Sequence, residues 1–253
     1  MTMNLLAFDT STEMMSVAVQ RAPLESGETP QVWQHTALGG ALTSANLIPT
    51  IEGLMAQADL QFAQLDAIAF GSGPGSFTGL RTACAVAQGL AFGAKLKVLP
   101  VDSLLCVAEQ ARNQHAADQS HFRVMALLDA RMDEMYGAGF EFKNGAWTET
   151  VTCGLIRPED LSFDPQCALA GNVFGVYGAR LPLPLGASAE FAPVRLDALP
   201  TATAMLRLAP ALLAAGAAVP PDQALPRYIR DKVAKTTLER AAEKAMTAPP
   251  TSS

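Results

Sequence analysis

The chain has 253 residues, 18 Lys+Arg against 24 Asp+Glu, 49% apolar residues, 17% charged and only 6% aromatic. That length suits one large or two small domains and can bury roughly three quarters of the unfolded surface. Such an apolar chain at a net charge of −6 forms a core, which excludes disorder, and its acidic balance argues against a basic nucleic-acid module. So few charges also imply that apolar surface remains outside, for a partner to cover.

Cys84, Cys106, Cys153 and Cys167 are widely spaced with no C-x-x-C pair, so zinc and redox chemistry are not indicated. The first apolar run has no preceding basic stretch and is interrupted by Asp9, so no signal peptide is expected. The most apolar stretch, Met205 to Val219, contains Arg207 and Pro210 and is too short to span a bilayer. A cytoplasmic protein with reduced thiols and no membrane partner is expected.

In chain order, Leu5 to Phe8 reads as a buried strand ending at Asp9-Thr10-Ser11-Thr12. Ser16 to Gln20 and Val32 to Gln34 continue it as an antiparallel meander, with a loop around Pro23 to Pro30. Leu47, Ile48, Ile51, Leu54 and Met55 recur at helical spacing, and Pro49 implies that the helix starts there or is kinked. Leu65 to Phe70 is a strand ending in Gly71-Ser72-Gly73-Pro74-Gly75-Ser76-Phe77-Thr78-Gly79. A helix rich in small residues runs from Leu80 to Leu90, with Gly93 as its closing residue, and Lys97 to Val101 is the next strand. This β-α-β order implies parallel pairing with right-handed crossovers.

After Asp102-Ser103, an N-cap signal, the pattern repeats: a helix over Leu104 to Arg112, a strand over Val124 to Leu128 ending at Asp129-Ala130-Arg131, and strands over Met135 to Phe142 and Trp147 to Thr152 joined by Lys143-Asn144-Gly145. Thr201 to Ala217 is an amphipathic helix stopped by Pro220-Pro221. The division expected is a first α/β lobe over 1–103, a second over 104–225 whose last helix is free to pack back on the first, and a C-terminal segment over 226–253. From Pro226 onward the net charge is +3, leaving −9 for the rest. That segment reads as a solvated tail or as one that contacts an anion.

The Gly-rich stretch is the strongest local signal. Strand, Gly-rich turn and helix N-terminus is a geometry that holds phosphate, with Ser72, Ser76 and Thr78 as hydroxyl donors and Arg81 as a cation. It matches neither G-x-x-x-x-G-K-[ST] nor G-x-G-x-x-G, so a tight structural turn is the competing reading. Asp9 is either a carboxylate offered to a metal-bound phosphate or an Asx turn entering a hairpin, and Asp129 with Arg131 has the same two readings. His35, His115 and His121 form no metal spacing, G-x-S-x-G is absent, and no general base stands out. No catalytic residue and no metal ligand is therefore assigned.

Leu6-Ala7-Phe8-Asp9-Thr10-Ser11-Thr12 and Phe70 to Arg81 (F-G-S-G-P-G-S-F-T-G-L-R) resemble the bacterial TsaB (YeaZ) family. Ala87-Gln88-Gly89-Leu90-Ala91, Asp129-Ala130-Arg131-Met132, Glu134-Met135-Tyr136 and Pro226-Arg227-Tyr228-Ile229-Arg230 follow in the family's order. The resemblance implies the two-lobed α/β fold of actin, Hsp70 and sugar kinases, the ASKHA fold, with RNase H-like mixed sheets flanked by helices. It implies an accessory, non-catalytic role in making threonylcarbamoyladenosine next to the anticodon of tRNA. The implied partners are a TsaD-type catalytic subunit, a TsaE-type ATPase, tRNA through the complex, and a second copy when TsaD is absent. No tightly bound cofactor is implied, and ATP or ADP with Mg²⁺ belongs at the joint with a partner. Asp9, Thr10, Ser11, Gly71, Gly73, Gly75, Ser76, Thr78, Gly79, Arg81 and Asp129 are the corresponding nucleotide-loop candidates. Leu47, Ile48, Ile51, Leu54, Met55, Leu80, Ala83, Ala87, Leu90 and Ala91 are the corresponding partner-facing set. TsaD-type histidines four apart on a helix are missing, and Thr43 to Pro49 lacks the histidine many relatives carry there. The alternatives are a stand-alone ATP-binding enzyme of this fold and a metallopeptidase-like protein.

Overall fold

The computed structural model describes residues 3–23, 25, 28–183 and 193–230. The first sheet is built from β1 (Leu5–Asp9), β2 (Met14–Arg21), β3 (Gln31–Leu38), β4 (Ala67–Gly73) and β5 (Val98–Asp102), in the order β3-β2-β1-β4-β5. β1 to β3 form the expected antiparallel meander, and β1, β4 and β5 pair in parallel. The second sheet is built from β6 (His121–Arg131), β7 (Glu134–Lys143), β8 (Ala146–Ile156), β9 (Ala168–Gly171) and β10 (Arg195–Asp197), in the order β10-β9-β6-β7-β8. Taken from the other edge this is the same topology, an antiparallel meander followed by two parallel strands. The two-lobed mixed α/β fold expected of the ASKHA class is therefore present, one five-stranded sheet per lobe.

Among the described residues, five α-helices cover the sheets: α1 (Thr43–Gln57), α2 (Phe77–Ala94), α3 (Ser103–His115), the short α4 (Phe174–Tyr177) and α5 (Ala202–Ala214). Alternation along β1 assigns the faces. Leu6 and Phe8, with Val17, Val19, Ile68 and Phe70, meet α1 and α2, whereas Leu5 and Ala7, with Ala69 and Leu99, meet Cys106 of α3 and Met205, Leu208 and Ala209 of α5. Leu104, Val107, Ala108 and Ala111 on other faces of α3 pack on Val124, Ala126 and Leu128 of the second sheet. Thus α3 and α5 form the layer between the lobes, and the late helix does return to the first sheet. Burying Phe8 or Phe70 completely contributes roughly 2–3 kcal/mol each.

Three local expectations change. α1 starts at Thr43 and runs through Pro49; Pro49 and Ala45 are both exposed, so the carbonyl left without an amide meets water. α2 is closed by Lys95 in the left-handed conformation (φ 57°), not by Gly93, with the Leu96 amide reaching back to the Ala91 carbonyl at 2.9 Å. β9, α4 and β10 carried no sequence signal: β9 is A-L-A-G, wholly buried, made a strand by its parallel pairing with β6. The Asp102 N-cap is as expected, its carboxylate accepting from the Leu104 and Leu105 amides at 2.7 and 3.0 Å. Asn144 (φ 51°) and Gly145 (φ 85°) make the β7–β8 turn.

The periodic apolar positions of α1 and α2 face inward. Leu47, Ile51, Leu54 and Met55, and Leu80, Ala83, Ala87 and Ala91, are all buried in the chain's own core. The partner-facing assignment of these residues is corrected accordingly: of that set, Ile48 is exposed and Leu90 is half-buried. Helical periodicity finds the face turned to the sheet, and that face is already occupied.

Candidate functional site

The strand ends of β1, β4 and β6 converge on a cleft between the lobes of about 430 Å³, whose lining includes Ser11, Ser76, Phe77, Asp129, Arg131 and Tyr228. Of the expected loop residues, Ser11, Gly75, Ser76 and Asp129 reach it. The others do not line it.

Asp9 is completely buried on the α5 side of β1. Its Oδ1 accepts from the Ser11 amide at 2.8 Å and the Ser11 hydroxyl at 2.7 Å, which is the Asx-turn reading of this residue. Its Oδ2 is buried without a hydrogen-bond partner. Burial pushes this carboxyl up to about 6, against the lowering effect of the Ser11 bonds.

The Gly-rich loop packs tightly onto β1 and its turn. A Cβ at Gly71 would collide with Asp9 Oδ2, one at Gly75 with the Ser11 carbonyl, and one at Gly79 with the Thr10 carbonyl. The Ser76 amide donates to the Ser11 carbonyl at 2.7 Å, and the Thr10 hydroxyl to the Gly79 carbonyl at 2.7 Å. Gly73 sits at φ 117°, a conformation side chains avoid, with the Arg227 carbonyl against it. Gly73, Gly75 and Gly79 therefore serve close backbone contact within the chain, and Gly71 makes room for the Asp9 carboxylate. Gly79→Ala is expected to cost about 2–3 kcal/mol, because the clash is with backbone; a urea midpoint equal to wild type would refute it.

Across the cleft, Asp129 accepts from the Arg131 amide and from the Tyr177 hydroxyl, both at 2.8 Å, and pairs with the Arg131 guanidinium at 3.1 Å. Burial and the Asp129 bond push the Tyr177 phenol up to about 12. Arg131, Met132 and Asp133 all have positive φ (61°, 55° and 60°). Three consecutive left-handed residues cost on the order of 1 kcal/mol each, so the surroundings must hold them. Asn172 accepts the Asp129 amide at 2.9 Å, and Arg180 ties Asp133 to Glu159.

The remaining clamp comes from the C-terminal segment. The Arg227 amide donates to the Ser72 carbonyl at 2.7 Å while its guanidinium pairs with Asp102. Arg230 donates to the Ala130 carbonyl at 3.1 Å and the Arg131 carbonyl at 3.3 Å, and pairs with Glu134. Between them, the Tyr228 ring lies 5.1 Å from that of Phe77, and its hydroxyl accepts from Arg81 Nε at 3.0 Å, with the Arg81 guanidinium 3.7 Å over Phe77. Arg81 is thus engaged with aromatic rings at the cleft mouth, and Thr78 is exposed beside it. Of the C-terminal segment, residues up to Arg230 are ordered against both lobes rather than a free solvated tail, with Arg227 paired to Asp102 and Arg230 to Glu134. Lys232, Lys235, Arg240 and Lys244 lie outside the described residues.

A second buried constellation carried no sequence signal. Glu109 of α3, 4% exposed at its side chain, accepts from Arg207 of α5 at 2.8 Å, from Arg112 at 3.1 Å and from the Trp147 indole of β8 at 3.0 Å. It joins three elements at the lobe junction. Among the described residues, no group of three His, Cys, Asp or Glu is placed to hold a metal ion, and no helix is long and apolar enough to cross a membrane.

Residues 35–238 match the family model described as TsaD: tRNA N6-adenosine threonylcarbamoyltransferase. The chain is 42% identical over 134 residues to the tRNA threonylcarbamoyladenosine biosynthesis protein TsaB of Haemophilus influenzae, a match covering 53% of this chain and 52% of that protein. It is 32% identical over 237 residues to the protein of the same name from Escherichia coli, covering 92% of this chain and 96% of that one. Its structure is similar to YeaZ from Pseudomonas aeruginosa, with a TM-score of 0.75 and 37% identity over 89% of this chain and 99% of that one. The chain therefore belongs to the family that the TsaD model describes and, on a match spanning nearly its whole length, to the TsaB (YeaZ) branch of it.

Proposed function

We propose that this chain is a non-catalytic, cytoplasmic accessory subunit for threonylcarbamoylation of the adenosine next to the anticodon in tRNA. In this reading it holds and activates a TsaD-type catalytic subunit, together with a TsaE-type ATPase, and meets tRNA through the complex. The observation that carries the reading is the state of the interlobe cleft. Asp9 is buried beneath α5 with its carboxylate against Gly71, backbone carbonyls stand against Gly73, Gly75 and Gly79, and Arg227, Tyr228 and Arg230 cross the opening. The residues present do not fit an internal nucleotide–metal site. ATP or ADP with Mg²⁺ is assigned to the joint with a partner, where residues from both chains contribute.

The outer faces of α1 and α2 support the partner role. Ile48 and Phe92 are exposed there, and Gly53, Gly89 and Gly93 have open space where a Cβ would sit. An exposed glycine inside a helix costs roughly 1 kcal/mol relative to alanine. Nothing within the described residues requires these glycines, whereas a helix from a partner at close range does. Gly89→Leu is expected to leave a folded chain and to weaken binding of the catalytic partner at least tenfold, measured by calorimetry with the purified partner. Depleting the protein and analysing tRNA nucleosides tests the function itself: unchanged threonylcarbamoyladenosine would refute it. Tight ATP–Mg²⁺ binding with turnover by the isolated chain would favour the stand-alone enzyme instead.

A further inference from the structure

Residues 224–230 cross from one lobe to the other, and the two ends of this strap are held by different kinds of contact. At the first lobe the hold is on backbone. Ala224 is buried in the core under α1 and α2, and its carbonyl accepts from the Gln88 side-chain amide at 3.0 Å. Beyond Pro226, which has no amide proton to donate, the Arg227 amide donates to the Ser72 carbonyl and the Arg227 carbonyl lies against Gly73. At the second lobe the hold is on side chains. Ile229 packs half-buried on the second core, and the Arg230 guanidinium donates to the Ala130 and Arg131 carbonyls and pairs with Glu134. Among the described residues, no backbone hydrogen bond ties residues 228–230 to the second lobe.

The carbonyls that Arg230 holds belong to the β6–β7 turn, where Arg131, Met132 and Asp133 are all left-handed. None of the three is glycine, so each is strained, and the turn relaxes once its hold is gone. At the other end the positive φ falls on Gly73, where it carries no such strain. We propose that the strap is a two-state device over the interlobe cleft, fixed to the first lobe and releasable from the second, with the turn at 131–133 as its sprung catch. The reach of the chain couples it to the lobes. Arg227 and Arg230 are three residue steps apart, at most about 10 Å of backbone, so a wide parting of the lobes detaches Arg230 while Arg227 stays. Both sides of the switch face the cleft, because Arg227 to Arg230 and Asp129 to Met132 line it together. Release therefore uncovers the opening and reshapes the opposite wall in one step. The strap lies within this chain, so the inference does not rest on the proposed function.

Two single amides report the two ends separately in hydrogen exchange on the full chain. The Arg131 amide, bonded to the Asp129 carboxylate, reports the catch, and the Arg227 amide, bonded to the Ser72 carbonyl, reports the fixed end. Arg230→Ala is expected to speed exchange at Arg131 about tenfold or more, to change Arg227 less than about threefold, and to leave the β1 amides at their wild-type rates. Met132→Gly keeps the Arg230 bonds to the two carbonyls and removes strain from the catch, because glycine takes the left-handed conformation freely. It is expected to slow Arg131 exchange about fivefold, after correction for intrinsic rates. Unchanged Arg131 exchange in Arg230→Ala overturns the proposal, as does an equal rise at Arg227, which would mean that the whole strap lifts. A rise that extends equally to β1 also overturns it, since the strap would then be a static brace whose loss unfolds the chain. Unchanged or faster Arg131 exchange in Met132→Gly removes the catch and overturns it too.

Discussion

Glu109→Ala is expected to lower the stability of the chain by about 3 kcal/mol, read as a shift in the urea midpoint. Three donors converge on this carboxylate: Arg207, Arg112 and the Trp147 indole. Removing one member of a buried charge cluster costs about 3–5 kcal/mol, because the other charges stay behind without partners. Here the side chains of Arg112 and Arg207 are 14% and 31% exposed and recover some hydration, which sets the effect at the lower end. The Trp147 N–H recovers less, being part-buried between α3 and β8. Arg207→Ala is expected to cost about half as much, since Glu109 keeps Arg112 and Trp147. Equal effects of the two substitutions would show that Glu109 is not the centre of the cluster. The cluster joins α3, α5 and β8, so lobe orientation as well as stability is at stake, and amide exchange across α5 is expected to rise in Glu109→Ala.

The second large effect is a pH dependence centred on Asp9. Burial raises its carboxyl from 3.8 to about 6 in the folded chain. A carboxyl raised on folding binds its proton more tightly in the native state than in the unfolded one. Its contribution therefore favours folding below the unfolded value and is lost as pH rises through about 6. A rise of that size corresponds to roughly 3 kcal/mol between the protonated and ionised forms. Asp9→Asn removes the ionisation while its side-chain oxygen still accepts the Ser11 bonds. It is expected to be more stable than wild type at pH 8 by about 2–3 kcal/mol, with the advantage shrinking toward pH 4. Urea midpoints of the two proteins across that range provide the measurement. A difference that stays constant with pH would mean that Asp9 is ionised and satisfied in the folded chain. The cost of this buried, half-satisfied carboxyl is tied to Gly71, which makes room for it by having no Cβ.

Much of the architecture was legible before folding was considered. The apolar run Leu5–Phe8, the alternation in Ser16–Gln20, the helical spacing from Leu47 to Met55 and the restart after Asp102 are local patterns, and local patterns report which residues of an element are apolar. They also placed Asp9, the Gly-rich loop and Asp129 at strand ends, where the interlobe cleft forms. Composition established that the chain had apolar surface to bury and little charge to spend. What local pattern could not say is what each apolar face would meet. The stripes of α1 and α2 resemble a partner surface and are core, because a helix presents the same periodicity to its own sheet as to another chain. The roles of Arg227 and Arg230 depend on Asp102 and Glu134, which are 125 and 96 residues away, and Glu109 depends on Arg207, 98 residues away. Whether a glycine loop cradles a phosphate or a carbonyl of its own chain is settled by what stands within a Cβ's reach. Sequence determined most of the elements and their faces, because those follow from nearest-neighbour chemistry, but not β9, α4 and β10. Tertiary structure alone decided which of those faces, edges and charges were already used, because that requires bringing together residues about a hundred positions apart.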